Sequence, residues 1–221
     1  MVNELSADAL LKQVKADAGK WNNAASENDI AETVAALQSH GFNVVIVNNK
    51  AEALEKLKEL IPSGSEVMNG SSTTLNEIGF TDLLSNGKHS WKNMHTAILA
   101  EKDAAKQGDL RRKADAAEYF VASVNAISKT GELIAGDASG SRVGAFPFTA
   151  KNLVLVSGVN KIVPTMEDGL QRLREFAFPL ENVRAKKVYG MGSMVGKIVI
   201  LANEMFKGRT MLILVKEKLG Y

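Results

Sequence analysis

Hydrophobic positions along this chain follow two spacings, one typical of buried strands and one typical of amphipathic helices. Short apolar runs at Phe42–Val47, Glu66–Met68 and Leu153–Val159 predict strands, whereas Lys50–Leu60 has apolar residues at helical spacing. A strand–helix–strand order favours a parallel sheet with right-handed crossovers. The pattern therefore predicts an α/β domain.

The first part of the chain has a helical pattern without strands. Residues 5–39 are predicted to form two helices, the second capped by Ser26 and ended by Gly41. We therefore expect a helical segment, residues 1–41, packed on an α/β domain formed by residues 42–221.

The remaining pattern predicts strands on both sides of one further helix. Tyr119–Ile127 is predicted as a buried strand, and Asn125–Ser128 and Glu132–Ala135 are predicted to form a hairpin that turns at Thr130-Gly131. A helix is expected to begin near Met166 and to end before Pro179. The last two runs, Lys197–Ala202 and Thr210–Lys216, are predicted to pair antiparallel. The expected fold is thus a three-layer α/β sandwich with a mostly parallel central sheet and an antiparallel edge.

Polar residues cluster where two of these strands end, in the loop 69–74 and in the segment 123–142. The carboxyl ends of strands in an open α/β sheet are where ligands bind, so we expect the two segments to form opposite walls of one pocket. Asp137 and Glu132 are the candidate general bases. The candidate ligand-binding residues are Gly70, Ser71, Ser72, Thr73, Asn125, Gly140, Arg142, Asn160 and Lys161.

Each of these groups also has a structural interpretation. The Ser/Thr cluster starts a helix, with Thr74 and Glu77 at capping-box spacing, and this competes with anion binding by the loop. Asp137 forms an ion pair with Arg142 or caps a glycine turn; alternatively, Arg142 binds a substrate carboxylate or phosphate through both guanidinium nitrogens. Lys161 is a candidate partner for an anion.

Composition excludes several kinds of chemistry. The chain has 221 residues and no cysteine, which rules out disulfides, thiolate catalysis and cysteine-ligated iron–sulfur clusters, and we predict no cofactor or metal. The segment 170–221 contains ten Lys/Arg and four Asp/Glu, but they are interleaved with apolar strands. We therefore expect a small anionic ligand rather than nucleic acid. No run is long and apolar enough for a membrane span, and the first residues lack the apolar region of a secretory signal, which predicts a cytoplasmic protein without membrane contact.

Several segments resemble the LUD-domain family, whose bacterial members include small lactate-utilisation proteins. The segments are GSSTTLNEIG (70–79), SVNAISKTGELIAGDASGSRV (123–143), VSGVNKIV (156–163), FPLENVR (178–184) and GRTMLILVKEKLGY (208–221). The resemblance implies the NagB/RpiA/CoA-transferase-like fold, shared with ribose-5-phosphate isomerase, glucosamine-6-phosphate deaminase and CoA transferases. Those relatives hold phosphate or carboxyl groups with a Gly/Ser/Thr loop and use acidic groups at neighbouring strand ends. Gly70–Thr73 matches the first feature, and Asp137 with Gly140 matches the second.

The chain departs from the family in one respect. Many LUD proteins of this subtype have a cysteine-rich segment where this chain reads ENVRAKKVYGMGSMVGKI (181–198). Two functions remain open. In one, the protein binds a hydroxy acid or sugar phosphate, with acid/base chemistry at Asp137 or Glu132. In the other, it is a non-catalytic binding or scaffold subunit of a lactate-oxidising assembly, with an oxidoreductase or a second copy of itself as partner.

Overall fold

The computed structural model describes residues 5–221, which form ten α-helices and ten strands arranged in two sheets. The helices are α1 (Ala7–Leu11), α2 (Ala18–Trp21), α3 (Glu27–Ser39), α4 (Lys50–Leu60), α5 (Thr73–Glu77), α6 (Phe80–Asn86), α7 (Met94–Ala100), α8 (Ala104–Ala114), α9 (Met166–Arg172) and α10 (Phe178–Tyr189). The strands are β1 (Asn43–Val47), β2 (Glu66–Asn69), β3 (Lys92–Asn93), β4 (Tyr119–Ala122), β5 (Ala126–Ser128), β6 (Leu133–Asp137), β7 (Asn152–Gly158), β8 (Ile162–Val163), β9 (Lys197–Leu201) and β10 (Thr210–Val215).

The larger sheet has the strand order β1-β10-β7-β4-β2-β3, and every pair in it is parallel. Its strands are apolar on both faces, as a sheet covered on both sides requires. In β7, Leu153 and Leu155 pack towards α3, α7 and α8, whereas Val154 and Val156 pack towards α4, α5 and α6. This arrangement confirms the predicted three-layer α/β sandwich.

The smaller sheet has the order β8-β5-β6-β9 and contains both parallel and antiparallel pairs. Leu133 and Ala135 of β6 face the core of the larger sheet, and Ile134 faces the opposite way, towards Leu173 and Leu180. One face of the smaller sheet thus covers the central sheet, and the other face is covered by the helical segment around α9 and α10.

Two strand predictions were wrong. Tyr119–Ile127 is not one strand: β4 belongs to the larger sheet, β5 belongs to the smaller sheet, and the chain crosses between them at residues 123–125. The last two strands do not pair with each other either, because β9 pairs with β6 and β10 lies between β1 and β7. Apolar runs of similar length mark these strands in the sequence, and such runs do not identify the partner strand.

Pro179 does not end the helix that begins at Met166. Residues 173–177 form one π-helical stretch, and α10 continues directly from it with Pro179 in its first turn. A proline is tolerated there because the first N–H groups of a helix have no partner within that helix, and the π-helical stretch changes the hydrogen-bond register just before the proline.

The N-terminal segment contributes to the same cores as the rest of the chain. It has three short helices rather than the two predicted, and Ser26 caps α3 as expected. Leu10 and Trp21 are buried against the smaller sheet, while Ile30 and Leu37 are buried beside the larger one. Residues 1–4 of the predicted 1–41 segment lie outside the described residues. Within residues 5–221, none of the helices combines the length and the apolar character that crossing a bilayer would take.

Candidate functional site

A cleft of about 1020 Å³ opens where the carboxyl ends of β2, β4 and β6 meet. The loop after β2 lines one side, the segment after β6 lines another, and α10 with the residues that follow it lines a third. The structure therefore brings the two polar segments to one cavity, although they are far apart in sequence. Eight of the predicted site residues line it: Gly70, Ser71, Ser72, Thr73, Asn125, Asp137, Arg142 and Lys161.

Gly70 and Arg142 are in direct contact across the floor of this cleft. A Cβ atom at position 70 would lie 2.4 Å from Cγ and 2.6 Å from Cδ of Arg142. Glycine is therefore required there by the close approach of the arginine stem rather than by its backbone angles. The contact fixes the distance between the two walls.

The loop after Gly70 carries polar groups that the protein itself does not use. Within residues 5–221, the backbone N–H groups of Ser71, Ser72 and Thr73 have no acceptor, and the buried Thr73 hydroxyl has no hydrogen-bond partner. The Thr73 hydroxyl faces the Tyr221 phenol, whose pKa is raised mainly by burial, but the two groups do not reach hydrogen-bond geometry. Buried polar groups are normally paired, and Thr73 is the buried residue of this loop, so its unpaired hydroxyl indicates room for an acceptor at the cleft.

The predicted capping box is not formed. Ser72, not Thr74, is the N-cap of α5, and its hydroxyl accepts from the N–H of Leu75 at 3.3 Å. Because α5 has only five residues, the dipole of this helix adds little to the loop. The loop's own N–H groups and hydroxyls are the donors available to a ligand.

Arg142 is used mainly to hold the site together. Its Nη1 donates to the carbonyl of Ser123 at 2.8 Å, its Nη2 donates to the carbonyl of Gly136, and its guanidinium lies 5.9 Å from the Phe146 ring. These bonds tie the crossing between the sheets to the end of β6. Both terminal nitrogens thus have a protein partner, which leaves the arginine with less capacity to bind a ligand bidentately than the sequence suggested.

Asp137 is saturated with backbone donors. Its two carboxylate oxygens accept from the N–H groups of Ser139, Gly140, Arg142 and Val143 at 2.9–3.3 Å. Burial raises the pKa of Asp137, but the Arg142 guanidinium and these N–H donors outweigh it and hold the pKa below its ordinary value. A carboxylate with four donors and a lowered pKa is a poor proton acceptor, so the geometry favours the turn-capping interpretation.

Lys161 is almost completely buried at the bottom of the cleft. Its Nζ donates to the hydroxyl of Thr74 at 2.9 Å, the hydroxyl of Ser123 at 3.0 Å and the carbonyl of Val124 at 3.0 Å. Among the described residues it forms no ion pair with a carboxylate. Burial lowers the pKa of the Lys161 amine well below its ordinary value, and the nearby Arg172 cation lowers it further.

Arg172 completes a set of three basic side chains that bind the chain crossing. It is fully buried, and it donates to the carbonyls of Trp21, Asn125 and Asn160. Together with Arg142 and Lys161 it pairs the carbonyl groups of residues 123–125, which belong to neither sheet. A backbone buried between two sheets needs such donors because it has no neighbouring strand.

Three predicted residues lie away from the cleft lining. Asn160 is buried. Its side-chain amide donates to Oδ1 of Asn22 at 2.7 Å and accepts from the N–H of Leu219 at 3.0 Å. Gly140 has φ +96° in the turn after β6, where its N–H donates to Asp137 while its neighbours line the cleft.

Glu132 is the third. It lies at the hairpin between β5 and β6 and accepts from the hydroxyls of Ser128 and Thr130. Burial raises the pKa of Glu132, but these hydroxyl donors outweigh it and leave the pKa below its ordinary value. Glu132 therefore has no geometric part in a reaction at the cleft.

Sequence reasoning missed a second carboxylate in the cleft. Asp115 follows α8 and lines the cavity, and no hydrogen bond or ion pair to its carboxylate forms within residues 5–221. Burial raises the pKa of Asp115 to about 6, with a further contribution from the charge of Asp137. It follows a helix end rich in lysine and arginine, which is typical of a surface aspartate, so the sequence did not indicate a site residue there.

A polar network on α10 was also missed. Arg184 forms two hydrogen bonds with Glu181, both 2.7 Å, and the Tyr221 hydroxyl donates to the same carboxylate at 2.7 Å. The Arg184 guanidinium stacks on the Tyr189 ring, with its Cζ 5.4 Å from the ring centroid. Since Tyr221 also faces Thr73, the network connects the loop after β2 to the far end of α10.

The comparison with protein families agrees with this architecture. The family model for the LUD domain matches residues 30–211, most of the chain. The chain belongs to the LUD-domain family. A search of curated proteins found no significant match.

A crystal structure of a DUF162 family protein from Deinococcus radiodurans is similar to this LUD-domain chain, with a TM-score of 0.51 and 12% sequence identity. The similarity covers 87% of this chain and 99% of that one. At this identity the likeness shows the fold alone.

The polar groups that line the cleft of this LUD-domain chain are mainly hydrogen-bond donors and basic side chains. Within the described residues, no group of three or more His, Asp or Glu side chains is placed to hold a metal. His95, the histidine that lines the cleft, bonds through Nε2 to the carbonyl of Asn69 at 3.0 Å, and burial lowers its pKa. The available groups are N–H and hydroxyl donors, cations and one carboxylate.

Proposed function

We propose that this LUD-domain protein binds a small anionic metabolite, a hydroxy acid or a sugar phosphate, in the cleft at the strand ends. The observation that supports this most strongly is the unpaired donor set of the loop after β2. Three backbone N–H groups and the Thr73 hydroxyl have no acceptor within residues 5–221, and a carboxylate or phosphate oxygen supplies what each of them lacks.

The charges around the cleft support an anion without demanding a highly charged one. Arg142 is close to Asp137, and Arg184 is paired with Glu181. Arg111 also lines the cavity and forms no salt bridge within the described residues. Neutral donors at the loop, together with one arginine that forms no salt bridge among the described residues, suit one carboxylate or one phosphate.

Acid/base chemistry, if the bound metabolite is turned over, belongs to Asp115 rather than to Asp137 or Glu132. Asp115 lines the cleft without a partner, and burial raises its pKa to about 6. A carboxyl group with a pKa close to neutral pH can act as a general acid or base there. Asp137 instead stays ionised and holds the turn that presents Arg142. Two neighbouring carboxylates in different environments thereby take different tasks.

Thr73→Val tests the binding site with little disturbance of the fold. The change removes only a hydroxyl that has no partner in the protein, so the free energy of unfolding should stay the same or rise. Loss of one hydrogen bond to an anion should weaken binding by roughly tenfold. Affinity is measured by calorimetry or thermal shift with lactate, other hydroxy acids and sugar phosphates; a ligand at 100 times its Kd should add about 2.7 kcal/mol of stability.

Thr33→Val is the matched control. Thr33 is also buried, but it lies on α3 outside the cleft, and its hydroxyl donates to the carbonyl of Asp29 at 2.6 Å. This variant should lose about 1 kcal/mol of stability and keep its affinity. The proposal is refuted if no anion raises Tm at saturating concentration, or if Thr73→Val binds the anion as tightly as the wild-type protein does.

The alternative function, a non-catalytic subunit of a lactate-oxidising assembly, shares the binding step and differs in turnover. Turnover by the wild-type protein separates the two, and Asp115→Asn then tests whether Asp115 carries that turnover. In an enzyme it should abolish turnover and preserve binding; in a scaffold the wild-type protein itself shows binding without turnover and is retained on an oxidoreductase in a pull-down.

A further inference from the structure

An apolar rim surrounds the mouth of the proposed anion site. Nine large hydrophobic side chains are exposed in the described part of the chain, and five of them line this one cleft. The five are Leu99, Val188, Tyr189, Met191 and Met194. Exposed apolar residues that gather at a cavity, rather than scattering over the surface, mark an interaction site.

The rim is built on a segment that is held in place. The loop after α10 is fixed by three hydrogen bonds: Gly190 N–H to the carbonyl of Lys186 at 3.1 Å, Ser193 N–H to Oδ1 of Asn182 at 2.9 Å, and Gly196 N–H to the carbonyl of Asp137 at 3.0 Å. The loop thus joins α10 to the wall that contains Asp137.

Between these fixed points the methionines remain exposed. Met191 is 68% exposed and Met194 is 65% exposed, although both line the cavity. Methionine side chains adapt to irregular apolar shapes at binding surfaces. The loop is therefore a firmly held support that presents two apolar side chains to the cavity.

The rim and the donor loop belong to one continuous wall. Tyr189 lies on Arg184, Arg184 is bonded to Glu181, Glu181 accepts from Tyr221, and Tyr221 faces Thr73. A single ligand can therefore contact both regions. The cavity of about 1020 Å³ is also far larger than a three-carbon acid needs, since it lies at the upper end of pockets that hold drug-sized ligands.

We propose that the ligand is a carboxylate or phosphate that carries an aromatic or branched hydrocarbon group, with the anion on the donor loop and the apolar group against Tyr189, Met191 and Met194. This inference rests on the proposed anion site and specifies its substrate class. It makes aryl-substituted 2-hydroxy acids and aryl phosphates better ligands than their unsubstituted counterparts.

The test compares two matched pairs of probes by calorimetry: lactate with 3-phenyllactate, and inorganic phosphate with phenyl phosphate. A phenyl group that buries on the order of 100 Å² should improve affinity by about tenfold or more. In Met191→Ser/Met194→Ser the affinity for lactate or phosphate should be unchanged, and the preference for the phenyl compound should fall to about threefold or less. Met205→Ser is the control, because Met205 is 89% exposed and does not line the cleft.

The outcomes separate this inference from the proposed function. Equal affinity of the wild-type protein for both members of each pair overturns the inference and leaves the anion site intact. A phenyl preference that survives in the double variant, or that falls equally in Met205→Ser, overturns it as well. Failure of all four probes to bind removes the proposed anion site and the inference together.

Discussion

Replacing Lys161 by methionine should change how the stability of the fold depends on pH. Methionine has a similar length and fits an apolar surrounding, so the change removes the amine with little loss of volume. The Thr74 and Ser123 hydroxyls lie 3.3 Å apart and still bond to each other, and the Ser123 hydroxyl also reaches the Val124 carbonyl at 3.3 Å. The three polar groups that bond to the amine therefore keep some of their hydrogen bonds in the variant.

The sign follows from the pKa of the amine. Burial lowers the folded-state pKa of Lys161 well below the 10.5 of the unfolded chain. Between these two values the unfolded chain binds a proton that the folded protein does not bind, so the contribution of Lys161 to the free energy of unfolding rises with pH. Lys161→Met lacks this proton, and the stability of the wild type relative to the variant should grow by up to about 1.4 kcal/mol for each pH unit below 10.5.

The difference in stability between the wild type and Lys161→Met also has a part that does not depend on pH, which comes from the lost hydrogen bonds. Near pH 7 the Val124 carbonyl loses its strongest donor, which costs about 1–3 kcal/mol when a buried acceptor is left poorly paired. Removing a buried amine offsets part of this cost. The variant should therefore be close to wild type at pH 7 and clearly less stable at pH 9.

Urea denaturation followed by far-UV circular dichroism at pH 6, 7, 8 and 9 measures this difference directly. Lys129→Met is the control: the hydrogen bonds from Lys129 to Asp29 and Glu32 raise the Lys129 pKa, so its contribution is present below the unfolded pKa and is lost only as pH rises through the folded pKa. Its difference from wild type should stay flat between pH 6 and 9. A flat curve for Lys161→Met as well would show that the Lys161 amine keeps its proton in the fold and would refute the reasoning.

Three further changes test other parts of the site. Gly70→Ala places a Cβ 2.4 Å from Cγ of Arg142, so it should lower the free energy of unfolding by about 1–3 kcal/mol and weaken anion binding. Gly108→Ala, inside α8, is the control and should be neutral or slightly stabilising in the same urea titrations. Asp115→Asn should stabilise the protein above pH 6, because the raised pKa of Asp115 means that its ionised form is disfavoured in the fold. The penalty develops as pH rises from about 4 to 6, and for this half-exposed group we expect about 1 kcal/mol. If the variant and the wild type depend on pH in the same way, the raised pKa is wrong. Arg172→Met leaves three carbonyls without their donor and should cost about 3–5 kcal/mol, seen as a large drop in Tm, while Arg174→Met on the exposed side of the same helical segment should have little effect.

The sequence predicted the layers of the fold because its strands and helices have distinct periodicities. β1, α4, β2 and β7 were recognised within a residue or two, since each is a continuous apolar run or an amphipathic stretch with clear turn residues on both sides. The pairing of β9 and β10 was wrong, because neighbouring runs can join different sheets. The break at residues 123–125 was hidden for a similar reason: Ser123 and Asn125 look like ordinary strand polar residues until the buried donors that bind them are known.

The roles of the candidate site residues were only partly predictable. The positions of the strand ends predicted that the segments of Gly70 and Arg142 line one pocket, and in the structure both residues line the same cavity. Which side chains are free there depends on hydrogen bonds from distant residues, and the sequence does not record these bonds. Asp137 is fully occupied for this reason, and Asp115, which looks like a surface residue, is not.

The position of β10 has a consequence for how the protein folds. In the larger sheet β1 has one neighbour, β10, and Asn43 pairs with Met211 near the opposite end of the chain. During synthesis β1 must therefore wait until β10, at Thr210–Val215, has left the ribosome before the two strands can pair. Its Val44, Val45 and Val47 remain an unpaired hydrophobic segment for that time, so nascent chains that stall before β10 should be the ones that aggregate or recruit chaperones.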